Sequence, residues 1–567
     1  MKKIYLFIFI VIFIMLFGTT SFLQNETNCN KIIFNDVPNF VSFSESEGTV
    51  KSYLETIDID KVSFTIKGKT DFKYDIGEVR KDMTAEEVDK IKKDRLQAAS
   101  EYYENFNKAL YELLPSFAYD SIYISKYFGS IDVVAENNIV FAKSFELLKR
   151  IANIDLVENI FVYTSSADTE SYIKGAQDSI NLSETIRTNT GDGSGINVGL
   201  LDEGIVDTSL SVFDDVNIVC RNHWLYIESI SEHSTSMAVA ITGEYGMASK
   251  CNLYSVELFG NFSGELDWLV DQNVDVINMS FGYNDNPGTY DQFSAMVDEL
   301  IWTYGITCCI AAGNANSLNN YYITNPALAY NAITVGAGGH SDYMDILGCY
   351  DEYTEIDKPT IISHSEIMLT GSAGVCPSGS SGATALTTGV VAGLMKRVPY
   401  LKLQPAMVTA LIAASSYAHE NFIFSCDSNL NHAAGAGFLD ADNAHDNIAN
   451  CHSSETTSSQ VDGSIVFEYE EFFLAGENIR IAASWLVKSS GTVASLSYSD
   501  YDLCIFRPEG GQIDCTMSAY NNLEMLNITI PYAGTYTIRV VQCGSLAHTD
   551  ATDICVAWTY DTENGHA

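Results

Sequence analysis

The chain has 567 residues, 46% of them hydrophobic and 18% charged, which is globular composition with material for about two to four buried cores. Its formal net charge of −42, from 73 acidic against 31 basic residues, repels nucleic-acid phosphates and argues against a DNA- or RNA-binding role. The plain consequence of such acidity is solubility; the other is attraction of cations or cationic substrates.

The N-terminus reads as an export signal over residues 1–22. Lys2 and Lys3 precede the apolar run YLFIFIVIFIMLF, and the small and polar residues GTTS follow. The run is short for a stable membrane span. The cleavage site lacks an A-x-A pattern, so an uncleaved anchor is the alternative, and membrane contact is expected only in that case. The expected location is therefore secreted or cell-surface. The chain has 13 cysteines, an odd number, and export favours disulfides. Cys29, near the end of the signal, is the natural odd one. Hairpin-like spacing suggests Cys504 with Cys515 and Cys543 with Cys555. No CxxC pair or His/Cys cluster suggests zinc.

Residues 23–170 form a first α+β region. It mixes alternating runs such as KVSFTIKG with helical segments. Thr84 and Glu87 in TAEE make a capping box that opens a helix. FELLKRIANIDLVENIFVY reads as an amphipathic helix, a turn and a strand.

Residues 175–450 alternate apolar strands with helical stretches: INVGLLD, CNLYSVELF, VDVINMSFG, ITCCIAAGN and AITVGAG. Near-continuous apolar strands predict an α/β domain, a mostly parallel sheet with helices on both faces. Functional residues in such a fold gather at the carboxyl ends of the strands. After residue 458 the pattern changes to short strands between turns: SIVFEYEEF, NIRIAASWL, YDLCIFRP, LNITIP and GTYTIRVVQC. Residues 458–567 therefore read as an all-β sandwich.

In the middle region NVGLLDEGIVD is an apolar strand ending in Asp202, where an acid is often only a turn former. EHSTSMAVAITG places His233 at the start of a small-residue helix; His223 in RNHW competes with it. CPSGSSGATALTTGVVAGLM places Ser381 in a tight turn that opens a buried helix. A serine there is normally a cap. The dense small residues, however, let a substrate backbone approach, and the helix N-terminus favours charge developing on a bound carbonyl oxygen.

The order Asp202, His233, Ser381 and these motifs resemble the subtilisin-like serine peptidases, over about residues 175–450. LLDEG matches the family's D-x-G. HSTS matches its H-G-T-H in part, and GSSGA matches its G-T-S-M-A at the glycine, the nucleophile and the alanine. ITCCIAAGNAN resembles the strand whose asparagine helps form the oxyanion hole, which assigns that role to Asn314. VINMSFG resembles the strand lining one side of the cleft. The resemblance thus implies Ser280, Phe281, Gly282, Ala311, Ala312 and Gly313 as substrate-binding residues. It implies Ser381 as nucleophile, His233 as general base, and Asp202 as the group that fixes the imidazole.

Glu203, Ser234, Ser236, Ala385 and Leu386 depart from the family pattern. Glu203 and Glu232 add negative charge near His233 and are expected to raise its pKa. By the same resemblance, residues 23–170 look like an intramolecular inhibitor and folding helper, removed somewhere between Thr164 and Thr190. The C-terminal region resembles β-modules that follow secreted peptidase domains. The chemistry requires no cofactor. Acidic turns such as SDYD offer oxygen ligands for a structural calcium, although solvated carboxylates are the plainer reading. The expected partners are protein or peptide substrates and the chain's own pro-region. Two other readings stay open: a catalytically impaired binding protein, and a surface adhesin that works through the β-module.

Overall fold

The computed structural model describes residues 32–34, 61–70, 72, 79–115, 121–136, 148, 150–163, 180, 182–221, 229–258, 261–283, 288–314, 322–339, 356–364, 379–417, 430–456, 460–493, 499–519, 521–544 and 552–560. The export signal, Cys29, His223 and most of the expected processing segment lie outside these residues. No helix among the described residues is long and apolar enough to cross a membrane.

The first unit is a sheet of β1 (Ile32–Phe34), β2 (Lys61–Gly68), β3 (Ser121–Ile124), β4 (Ser130–Glu136) and β5 (Val157–Tyr163), in the order β1-β5-β2-β4-β3. One long helix, α1 (Ala85–Leu113), accompanies it. The capping box expected at its start is formed: Thr84 Oγ1 accepts from Glu87 N at 3.3 Å, and Thr84 N donates to Glu87 Oε2 at 2.8 Å. Phe64, Ile66, Leu110, Ile131, Val133 and Ile160 fill the core of this unit.

The second unit is a seven-stranded sheet in which every pairing is parallel. Its strands are β6 (Asn197–Asp202), β7 (Ile218–Cys220), β8 (Asn252–Glu257), β9 (Val276–Met279), β10 (Thr307–Ala311), β11 (Ile333–Gly338) and β12 (Ile361–His364). The order is β12-β11-β10-β9-β6-β8-β7. From β6 the chain runs to the edge strand β7 and returns to insert β8 between them, and from β9 it builds outward on the other side. That places the reversal of strand order, where a crevice opens at the carboxyl ends, between β6 and β9. Strands buried on both faces account for the continuous apolar runs. The helices are α2 (Glu232–Ile241), α3 (Phe262–Asp271), α4 (Gln292–Tyr304), α5 (Gly379–Arg397), α6 (Pro405–Ser415) and the short α7 (Ala441–Asp446). One core cluster gathers residues of α2, α5 and α6 and a second those of α3 and α4, each with sheet residues, in keeping with helices on both faces.

The third unit consists of two antiparallel four-stranded sheets. One joins β13 (Cys451–Glu455), β20 (Asp553–Tyr560), β15 (Asn478–Ser484) and β18 (Leu523–Thr529). The other joins β14 (Ile465–Phe473), β19 (Gly534–Cys543), β16 (Asp500–Phe506) and β17 (Gln512–Cys515). Trp485, Trp558, Tyr501 and Tyr536 fill the space between them. The Cys504–Cys515 disulfide is present, joining the paired strands β16 and β17. The expected Cys543–Cys555 pair is not formed. Cys543 ends β19 in one sheet, where its thiol donates to Asp502 Oδ2 at 2.8 Å. Cys555 lies on β20 in the other sheet and is buried. Spacing along the chain suggested a hairpin, but the two strands belong to different layers.

Candidate active site

β6 carries Asp202 to the crevice and buries it completely. A carboxylate without water needs donors. Asp202 Oδ1 accepts from Glu203 N at 2.8 Å and faces His233 Nδ1 at 2.7 Å. His233 is the second residue of α2, whose N-cap Ser231 accepts from the backbone N–H of His233 at 3.1 Å and of Ser234 at 3.3 Å. Ser231 Oγ in turn donates to Glu203 Oε1 at 2.8 Å. The imidazole is therefore held from two sides, at the ring by Asp202 and at the backbone by the cap.

With its Nδ1 proton committed to Asp202, the ring presents Nε2 as its basic atom. That nitrogen is buried and has no hydrogen-bond partner among the described residues. Burial works against the imidazolium, but the charge and hydrogen bond of Asp202 outweigh it. The charge of Glu203 adds to them, and the His233 pKa lies above the ordinary imidazole value. The direction agrees with the expectation; of the two glutamates expected to cause it, Glu203 contributes and Glu232 is not among the causes.

The hydroxyl residues that follow His233, two of them departures from the family pattern, have local uses. Ser234 Oγ donates to Gly204 O at 2.8 Å, tying α2 to the turn after β6. Thr235 Oγ1 accepts from Asp207 N at 2.9 Å and donates to Ser231 O at 2.7 Å. Ser236 Oγ donates to Glu232 O at 2.8 Å.

Ser381 lies in the first turn of α5, which packs against α2. Its Oγ donates to Ser280 O at 2.9 Å, and Ser280 Oγ donates back to Ser381 O at 2.9 Å. Asn278, which sequence reasoning passed over, completes this lock. Its Nδ2 donates to Ser280 Oγ at 2.9 Å, and its Oδ1 accepts from Thr388 Oγ1 at 3.0 Å, one helical stretch beyond Ser381. A buried asparagine inside the run VINM was the available signal, because an amide on a doubly buried strand must find partners.

β10 delivers Ala311, Ala312, Gly313 and Asn314 to the same end of the sheet. Asn314 Oδ1 accepts from Ser380 N at 2.8 Å, and Gly313 N donates to Ser380 Oγ at 3.2 Å. Gly379 has φ +61°, and a Cβ there would stand 2.7 Å from Asn314 Oδ1. The glycine is what lets the asparagine amide approach the start of α5. The side chains of Ser280, Phe281, Ala311 and Ala312 are buried. Phe281 packs edge-on to Phe262 at 6.5 Å in the core. Of the six residues expected to line the cleft, only Gly282 and Gly313 are partly exposed. The ends of β6, β9 and β10 and the starts of α2 and α5 thus bring together Asp202 with His233, and Ser381 with Ser280 and Asn314.

Residues 193–437 match the family model Peptidase_S8, the subtilase family. Subtilisin-like protease 2 of Pseudogymnoascus destructans is 33% identical over 175 residues, covering 29% of this chain and 42% of that protein. The extracellular serine proteinase of Thermus sp. is 31% identical over 204 residues, covering 34% of this chain and 47% of that protein. Among solved structures, fervidolysin from Fervidobacterium pennivorans matches with a TM-score of 0.48 and 12% identity, over 91% of this chain and 80% of that one. The chain spans about half the length of the curated relatives it matches. Its seven-stranded parallel domain belongs to the subtilase family of serine peptidases.

Proposed function

We propose that the protein is an exported serine endopeptidase made as a precursor, with Asp202, His233 and Ser381 as its triad. The observation that carries this reading is the 2.7 Å contact from Asp202 to His233 Nδ1, in a site where Nε2 has no hydrogen-bond partner among the described residues. That arrangement fixes the tautomer and leaves a lone pair to receive the Ser381 proton. Ser381 Oγ attacks the substrate carbonyl, and His233 takes the proton and passes it to the leaving amine. The N–H of Ser381 and the Asn314 amide stabilise the oxyanion, since Asn314 Oδ1 is already engaged by Ser380 N and its NH2 remains to donate. The substrates are proteins or peptides, and residues 23–170 act as the pro-region. The chemistry uses no cofactor.

One observation favours a second reading. Ser381 Oγ is bonded to the Ser280 carbonyl rather than to the base, as suits a resting or catalytically impaired site. A turn about a single side-chain bond frees the hydroxyl, and such turns between staggered wells are ordinary. Labelling with a fluorophosphonate probe separates the two. Active enzyme labels, and Ser381→Ala does not. A wild-type chain that stays unlabelled while folded defeats the peptidase reading. N-terminal sequencing of secreted wild type beside Ser381→Ala tests self-processing: cleavage between residues 164 and 190 is expected only in the wild type.

A further inference from the structure

The first and third units meet on one helix of the second. Lys67, at the end of β2, is fully buried, and its Nζ pairs with Glu299 Oε2 on α4 at 2.7 Å. The chain that leaves β15 then crosses α4. Its Val487 N donates to Asn331 Oδ1 at 2.7 Å, and Ser489 Oγ donates to Ala295 O at 2.9 Å. Gln292 Nε2 donates to Gly491 O. Gly491 lies directly over the ion pair, with φ +78°. A Cβ built on it would come 2.1 Å from Glu299 Oε2 and 2.8 Å from Lys67 Nζ. The next residue reaches the first unit itself, where Thr492 Oγ1 donates to Glu158 Oε1 at 3.1 Å.

We infer that segment 485–493 of the β-module is a latch that holds the N-terminal unit on the peptidase domain after the connecting chain is cut. The body of that interface is apolar. Tyr103, Tyr127 and Phe128 of the first unit share one core cluster with Phe262, Leu300 and Tyr304 of α3 and α4. Lys92 with Asp275 adds a second buried ion pair at the far end of α1. Buried pairs add little net affinity, because both ions regain water once the pieces part. Their effect falls on the path of separation. Lys67 and Glu299 must be drawn apart before water can reach them, and Gly491 closes the way in. Lifting the latch first lets water enter, so the latch governs the rate of release, where most differences between related complexes lie.

The inference deepens the precursor reading and takes its role from it, but its test does not need the chain to cleave itself. A site for a sequence-specific protease is placed within residues 164–179 of the full-length Ser381→Ala chain. The chain is cut and diluted, and loss of the N-terminal unit is followed by size exclusion and native mass spectrometry. Thr492→Val removes the direct bond with nearly unchanged shape, and Gly491→Ala forces the loop off the ion pair. The cut parent is expected to keep its N-terminal unit, and both variants to release it about tenfold faster, equivalent to about 1.4 kcal/mol of barrier. Circular dichroism before cutting checks that each variant is folded, and Thr492→Val carries the test if Gly491→Ala is not. Equal release rates in parent and folded variant, or immediate release from the parent, overturn the latch.

Discussion

In the proposed mechanism His233 is the base, and its surroundings set when it can act. Above its raised pKa the imidazole is neutral and can accept a proton; as pH falls through that pKa the base is lost. Glu203 is exposed and contributes only part of the shift, after Asp202. Glu203→Gln should therefore move the acid limb of the kcat/KM profile to lower pH. The plateau should stay within about twofold, and the shift should shrink as salt screens the exposed charge. A limb that stays in place at low ionic strength would show that Glu203 serves only as acceptor for Ser231. The proposed triad positions could be picked out of the sequence because each ends a strand or opens a helix with a recognisable small-residue neighbour. The lock of Asn278, Ser280 and Thr388 was not legible as such. It joins positions far apart in the chain, and only the parallel register of β9 beneath α5 brings them into contact.

At the scale of elements, α5 must hold Ser381 and Ser380 against the ends of β9 and β10. Asn278 is fully buried and bonds both Ser280 and Thr388, so Asn278→Ala leaves Ser280 Oγ without that donor and opens a small void. The expected cost is about 1–3 kcal/mol of stability. It should come with a fall in kcat larger than any rise in KM, if α5 carries the nucleophile as proposed. Thermal unfolding and steady-state kinetics on the same preparation check both. α1 provides a contrast. Its capping box was readable from TAEE alone, because capping is local. Thr84→Ala should cost about 1 kcal/mol and leave kcat unchanged, the box being exposed and remote from the crevice. The strands of the parallel sheet were readable for the same local reason. The failed Cys543–Cys555 pairing shows the limit, since layer membership in a sandwich is a non-local property.

At the scale of the molecule, the β-module is built into the peptidase domain rather than appended to it. Ala482, Leu523, Met525, Cys555 and Ala557 of its first sheet lie in the same core cluster as Val408, Leu411 and Ile412 of α6. Arg480 on β15 is buried, and its Nη2 donates to the carbonyls of Ala436 and of Ala413 in the neighbouring unit. A guanidinium spent on backbone carbonyls acts as a peg between two units. Its removal leaves carbonyls desolvated with nothing to meet them. Removing residues 455–567 to test the adhesin reading would likewise strip the cover from α6, so point variants are the cleaner probe. A shared core predicts that the peptidase domain and the module unfold together in one calorimetric transition. Arg480→Ala should destabilise that transition by about 2–4 kcal/mol. Two resolved transitions in the wild type would mean that the module folds independently. In that case Arg480→Ala should shift only one of them, and the core cluster spanning α6 and the first sheet would not be acting as one body.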